Sequence, residues 1–267
     1  MNIACGIEYD GTGYHGFQRQ PDNHGSTIQG TLETAIARIS GTFSVVHGAG
    51  RTDAGVHASG QVIHFRTDSL LTPTVWLRAL NAVLPESVAV VWAKEAPQGF
   101  HARYSALSRS YRYTVLNSEA PRPLLARYSY YRSQPLDVSV MQEACQFLLG
   151  SRDFGAFGRS PDATNPRKPG PHSCVRTMLA ARCTRQDAQA LIYCDFTANA
   201  FLTGMVRRMV GTLLLVGQQR ISLDEFAAIV QHADKTHPGS AAPAHGLCLV
   251  RVDYPEEFGV IHDDENI

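Results

Sequence analysis

Period-two and helical apolar spacings follow one another in a set order along the first hundred residues, and few folds accept that order. NIACGIEY, residues 2–9, reads as a strand, and the Gly-, Asn- and Pro-rich DGTGYHGFQRQPDNHGS after it breaks the pattern into a long loop. Thr27 then opens an amphipathic helix with Ile28, Leu32, Ala35, Ile36 and Ile39 at helical spacing, and Gly41 stops it. Strands at 43–48 and 60–67, a helix at 73–82 and a strand at 88–94 complete a β-α-β-β-α-β series, the order of a ferredoxin-like lobe. The second half repeats the scheme loosely. SRSYRYTVLN is an alternating strand, 137–149 a helix, 174–185 and 189–198 strands, 203–217 and 222–233 helices, and LCLVRVDY a closing strand. The expected fold is therefore α+β: two lobes with mostly antiparallel sheets, helices on one face of each, and a central basic cleft. The boundary falls near residue 105, giving an N-terminal lobe at 1–104 and a C-terminal lobe at 105–267.

A chain of 267 residues can bury a core in each lobe without staples. Its six cysteines are scattered with no C-x-x-C pair, which fits neither a disulfide framework nor a zinc site, so reduced thiols and no metal are expected. No leader pattern opens the chain and no segment has the apolar length of a membrane span, so a cytoplasmic protein without membrane contact is expected. The formal net charge is zero, yet the charges are unevenly spread. Six arginines (Arg103, Arg109, Arg112, Arg122, Arg127, Arg132) stand between residues 101 and 132 against one acid, Glu119, whereas residues 253–267 carry six acids and no Lys or Arg. A local basic surface is thus compatible with a neutral whole, and nucleic acid stays open as a partner. GRSPDATNPRKPGPHS, residues 158–173, has four prolines and three basic residues and reads as an exposed basic loop.

GAGRTDAGVHASGQVIHF, from Gly48 to Phe65, sets a charged pair inside a Gly/Ala-rich loop between two strands. Small neighbours let a substrate approach Asp53, which can serve there as a nucleophile or base. An Asp that caps a turn beside a solvated Arg satisfies the same triplet equally well. His57, His64 and His101 stand on separate segments without a ligand pair at local spacing and read as structural histidines. The sequence has no P-loop and no dinucleotide fingerprint in the right context, so no cofactor is expected.

The Gly48–Phe65 segment closely resembles the signature of the tRNA pseudouridine synthase A family, in which G-R-T-D-x-G-V-H carries the catalytic aspartate. Asp53 takes that place. The likeness continues in family order through GIEYDGTGYHGFQRQ near the start, NAVLP at 81–85, FHARYSA at 100–106, SYRYTV at 110–115 and NAFLTGMVRRMVGT at 199–212. It implies the pseudouridine synthase fold and a cofactor-free isomerisation of uridine to pseudouridine, at positions thirty-eight to forty of the anticodon stem-loop of tRNA, by a homodimer. By the same resemblance Asp53 attacks the base or the sugar. Tyr111 lies against the target base, although by pattern alone it is an ordinary strand aromatic. Arg207 pairs with Asp53 and keeps it ionised, although on an apolar helix face it also reads as a surface charge like Arg208. Arg51 holds or replaces the flipped base, or else contacts phosphate. Arg19, Arg109 and Arg112 look like contacts to backbone phosphates, and Asn199, Phe201 and Leu202 support the pocket. Two departures stand out: the loop 158–173 is long and proline-rich before Val175, Arg176 and Thr177, and Phe17 stands where the family commonly has Trp. Two further classes fit parts of the pattern. A non-catalytic RNA-binding or RNA-folding protein would not need Asp53, and an aspartate-nucleophile hydrolase would want a closed apolar pocket and no salt-sensitive RNA affinity.

Overall fold

The computed structural model of the chain describes residues 1–20, 25–160, 173–236 and 239–260. Most of the proline-rich loop, 161–172, and the acidic end beyond 260 lie outside the described residues. The strands and α-helices in chain order are β1 (Asn2–Tyr9), α1 (Ile28–Ser40), β2 (His47–Gly48), β3 (His57–Arg66), α2 (Pro73–Val83), β4 (Val88–Glu95), β5 (Ser108–Asn117), β6 (Tyr130–Arg132), α3 (Val138–Gln146), β7 (Gly150–Asp153), β8 (Val175–Gln186), β9 (Leu191–Ala198), α4 (Met205–Gly217), α5 (Leu223–His232) and β10 (Leu247–Asp253). Antiparallel pairs join β1 with β3 and β4, β2 with β3, and β8 with β7 and β9, while β10 with β3 and β6 with β5 are parallel. The chain is α+β, as its apolar periodicity predicts.

Helix ends follow the local chemistry. The Thr27 side chain accepts from the Gly30 N–H at 3.2 Å, and Gly41 closes α1 in the left-handed region at φ 74. Ser222 and Glu225 form a reciprocal capping box at the start of α5. Two elements differ from the sequence reading. The strand expected at 43–48 shrinks to His47–Gly48, because side chains of α1 take up the backbone of Val46: Gln29 Nε2 donates to its carbonyl at 3.0 Å and its N–H donates to Glu33 Oε1 at 3.2 Å. The helix expected at 137–149 ends at Gln146, where N–H groups of Phe147, Leu148 and Leu149 bond three residues back and Gly150 turns the chain at φ 89 into β7.

The chain divides into two compact units, Met1–Arg109 with the chain from Cys248 on, and Ser110–Leu247. The sequence reading drew one boundary near 105 and left the last strand with the second lobe. In the first unit the strand order is β4-β1-β3, with β2 pairing His64 and Ile63 of β3, and β10 pairing its opening residues His57 and Ala58. The order β4-β1-β3-β2 is that of a ferredoxin-like sheet. Its core gathers Ile3, Cys5 and Ile7 of β1, Leu32 and Ile36 of α1, and Trp76 and Leu80 of α2. Phe65 meets Trp76 edge-on at 5.1 Å, a contact that adds about 1 kcal/mol beyond burial. In the second unit the order is β5-β9-β8-β7, and α3 packs on β8. Met141, Phe154, Phe157, Met209, Leu213 and Phe226 form its core. There Cys183 faces Cys194 across the β8/β9 pair, with Sγ atoms 3.3 Å apart as free thiols.

Candidate active site

The connection from β2 to β3 carries Arg51, Thr52 and Asp53, and its backbone is held from several directions. Ala49 N–H donates to Val62 O at 2.8 Å. The Gly50 peptide bonds twice to the fully buried Gln61 side chain, its N–H to Oε1 at 3.2 Å and its carbonyl from Nε2 at 2.8 Å. The Thr52 carbonyl accepts from Phe17 N–H at 3.1 Å, and the Thr52 hydroxyl shares a 2.8 Å bond with the Tyr9 hydroxyl, which burial keeps neutral by raising its pKa. Past Asp53, the Val56 N–H closes a turn on the Asp53 carbonyl at 3.1 Å, with Gly55 at φ 75. Gly16 lies against this backbone at φ 90, and a Cβ there would stand 2.8 Å from Thr52 O, so glycine is required. These bonds leave Asp53 half-buried and Arg51 exposed on a loop whose main chain is already ordered. A carboxylate so presented meets a reacting carbon or proton without first paying to order its backbone.

Arg109 has a different setting from a phosphate contact. It is 8% exposed, and its guanidinium donates to three carbonyls: Ala49 from Nε at 3.3 Å and Nη2 at 2.9 Å, Arg103 from Nη2 at 2.5 Å, and Ala106 from Nη1 at 3.2 Å. It ties the start of the Asp53 loop to the FHARYSA turn. Arg19 is exposed, lies 3.4 Å from the buried Glu33 carboxylate and stands over the Phe43 ring at 5.5 Å.

In the second unit Tyr111 is buried in β5 and meets the Phe201 ring edge-on at 5.1 Å. On the same strand Arg112 makes a two-point ion pair with Asp195, at 2.7 and 3.1 Å, and stacks over Tyr193 at 4.6 Å. Arg207 sits in the first turn of α4, which starts after Gly204 at φ 74. Its Nε donates to the Ala242 carbonyl at 2.7 Å, and the Ala242 N–H donates to the Arg207 carbonyl at 2.9 Å. The segment Ser240–Ala242 can approach this closely because position 211 is glycine: a Cβ there would lie 1.8 Å from Ser240 O. The structure thus brings Arg109 to the Asp53 loop and Phe201 to Tyr111. Sequence reasoning missed Tyr9, Gly16 and Gln61 as supports of that loop, because their bonds join distant positions.

His47, His64 and His101 bring one nitrogen each within 4.8 Å of one another, the one such three-residue group among the described residues. The tautomers of His64 and His101 oppose metal binding. The Nδ1 of His64 accepts from Ala102 N–H and that of His101 accepts from Arg103 N–H, each at 3.1 Å, so in the neutral rings the proton sits on Nε2. Burial, with His101 and His47 adding to it, lowers the His64 pKa to about 4 and holds that ring neutral.

A family model described as tRNA pseudouridine synthase matches residues 6–105 and 144–255. Relatives named tRNA pseudouridine synthase A include one from Roseiflexus sp. (strain RS-1), 45% identical with 96% of this chain and 92% of that protein covered. One from Roseiflexus castenholzii is 44% identical, with 98% and 94% covered. A third, from Chromobacterium violaceum, is 43% identical, with 97% and 95% covered.

Proposed function

The chain belongs to the tRNA pseudouridine synthase family, and on that premise we propose that it isomerises uridines thirty-eight to forty of the tRNA anticodon stem-loop with Asp53 as the attacking carboxylate. The enzyme is an isomerase that converts uridine in tRNA to pseudouridine. The carbon–nitrogen glycosidic bond breaks, the base turns, and a carbon–carbon bond forms. The proton lost from the base carbon balances the one gained by the freed nitrogen, so no oxidant or energy donor enters. Asp53 attacks the base or the sugar carbon and holds that half covalently while the base turns, and the Asp53 bond breaks again as the product forms. Tyr111 stacks on the base and passes the proton, Arg207 serves as the cationic member of the catalytic set, and Arg51 fills the vacated stack or holds the flipped base. The observation that carries this reading is the GRTD loop itself: its backbone is bonded at Ala49, Gly50, Thr52 and Asp53 while the Asp53 side chain is half-buried.

In the same reading Arg19 and Arg112 meet phosphates, and two chains act as a homodimer that pools its basic surface. A reducing, cytoplasmic setting agrees with six free cysteines. No helix among the described residues is long and apolar enough to cross a membrane. The test is to incubate the purified protein with an unmodified tRNA transcript, without cofactor and with a chelator, and to map pseudouridine at nucleotide resolution. Conversion confined to positions thirty-eight to forty is expected. Conversion elsewhere overturns the positions, and none at all overturns the reaction.

A further inference from the structure

A groove of about 450 Å³ runs along α1 in the first unit. Its walls include the arginines Arg19 and Arg38 and the hydroxyl residues Ser26, Thr27, Thr31 and Thr34, together with Leu84 and Pro85 opposite. Among the described residues no acid lines it. Glu33, the carboxylate beside Arg19, is itself 2% exposed and anchors that guanidinium from behind, and Arg38 adds a second positive charge to the described wall. The spacing has a helical cause. Thr31, Thr34 and Arg38 recur at three and four residues and, with the capping Thr27, share one face of α1, while Ile28, Leu32 and Ile36 are buried on the other. A surface face of small hydroxyls ending in arginine offers hydrogen bonds and positive charge with little side-chain bulk. This is chemistry that suits a phosphodiester backbone.

Its position connects it to the loop of Asp53. Phe17 donates from its N–H to Thr52 O, and its carbonyl accepts from Gln29 N–H in the first turn of α1 at 2.9 Å. Arg19 follows two residues later, and its N–H donates to the Gln29 side chain at 2.8 Å. One short run of chain therefore joins the wall of the groove to the backbone beside the carboxylate.

We propose that this α1 groove is a sequence-independent docking track for the phosphate backbone of tRNA outside the target stem, with Arg38 and the Thr31 hydroxyl as contacts not assigned by the family signature. It rests on the reading of the protein as a tRNA-modifying enzyme. The track adds affinity and orientation and takes no part in the isomerisation.

The experiment measures tRNA affinity at a series of salt concentrations for the wild type, Arg38→Ala, Thr34→Glu and Arg78→Ala, with Arg78 on α2 as a charge-loss control outside the groove. Arg38→Ala is expected to raise the Kd roughly tenfold at low salt and to reduce the slope of log affinity on log salt by about one, the mark of one lost phosphate contact. Thr34→Glu should weaken binding at least as much, and Arg78→Ala should leave the slope within error. Thermal unfolding of each variant reports whether the fold persists; Arg38 and Thr34 are exposed, so it should. Equal slopes for wild type and Arg38→Ala overturn the track, as does an equal loss in Arg78→Ala. An arm with inorganic phosphate at matched ionic strength tests a free-anion site. Phosphate that stabilises wild type but not Arg38→Ala, with tRNA affinity the same in both, overturns the RNA assignment. Pseudouridine formation by the wild type is read in parallel: its absence sinks the enzymatic reading alone, and the groove is then judged on its salt slopes.

Discussion

Arg109 and Arg112 stand three residues apart in a basic stretch and have opposite settings, one buried among carbonyls and the other in an exposed ion pair. Sequence gave both the same reading because charge is legible in a chain and burial of a charge is not. An arginine buried against three carbonyls satisfies its donors in a fixed fork that lysine cannot copy. We therefore predict that Arg109→Lys lowers kcat about tenfold or more while the Kd for tRNA stays within about twofold, since a shifted carboxylate loses far more in the transition state than in binding. Single-turnover rates and binding curves on the folded variant check this. A raised Kd with a reduced salt slope and unchanged kcat would return Arg109 to the phosphate contacts. Asp53 is singled out by the family resemblance, because the R-T-D triplet alone fits a turn-capping Asp equally well. The Tyr9–Thr52 and Gln61–Gly50 bonds that hold its loop span 43 and 11 residues and leave no local trace.

At the scale of elements, helices with a clear apolar stripe are legible almost to the residue, as α1, α2, α4 and α5 show, and α1 and α5 are also capped by side chains. The misread elements are those whose backbone partners come from elsewhere. Phe43 and Val45 look like strand residues, yet they are 58% and 45% exposed because helix side chains bind Val46 and leave the pairing to His47. The short β6 and β7 are formed by neighbouring strands and have little pattern of their own. Gly211 in α4 is an element-scale test. Glycine in mid-helix is disfavoured by about 1 kcal/mol against alanine, so only the close approach of Ser240 explains it here. Gly211→Ala is expected to destabilise by about 1–3 kcal/mol despite its better helix propensity, measured by urea unfolding. A stabilised variant would show that the segment moves aside freely.

For the whole molecule, the series of strands and helices gave the α+β class and the strand order of the first unit, and no local pattern told where the final strand pairs. β10 reaches the opening residues of β3 by a bond pattern that spans most of the chain. Stability of the whole should carry the signature of His64. Its folded pKa is depressed from 6.5 to about 4 by burial, so between these values the unfolded chain binds a proton that the folded chain refuses. The contribution is full above pH 6.5, declines as pH falls and levels off below about 4. Between pH 7 and pH 5 it amounts to about 1 kcal/mol once solvent screening is allowed for. His101 is shifted the same way and adds in the same direction. Urea unfolding of wild type and His64→Gln across this range should show a shallower decline in the variant, and parallel curves would remove His64 as the cause.

The most direct test of the account compares wild type with Asp53→Asn on one tRNA transcript, with binding and conversion measured on the same preparations. Asparagine keeps the size and the loop and removes the charge. The account predicts equal affinity within about twofold, ready conversion by wild type, and a loss on the order of a thousandfold or more in the variant. An Asp53→Asn protein that forms pseudouridine at a rate near that of wild type would contradict it, because the loop would then be holding a carboxylate that the reaction does not use.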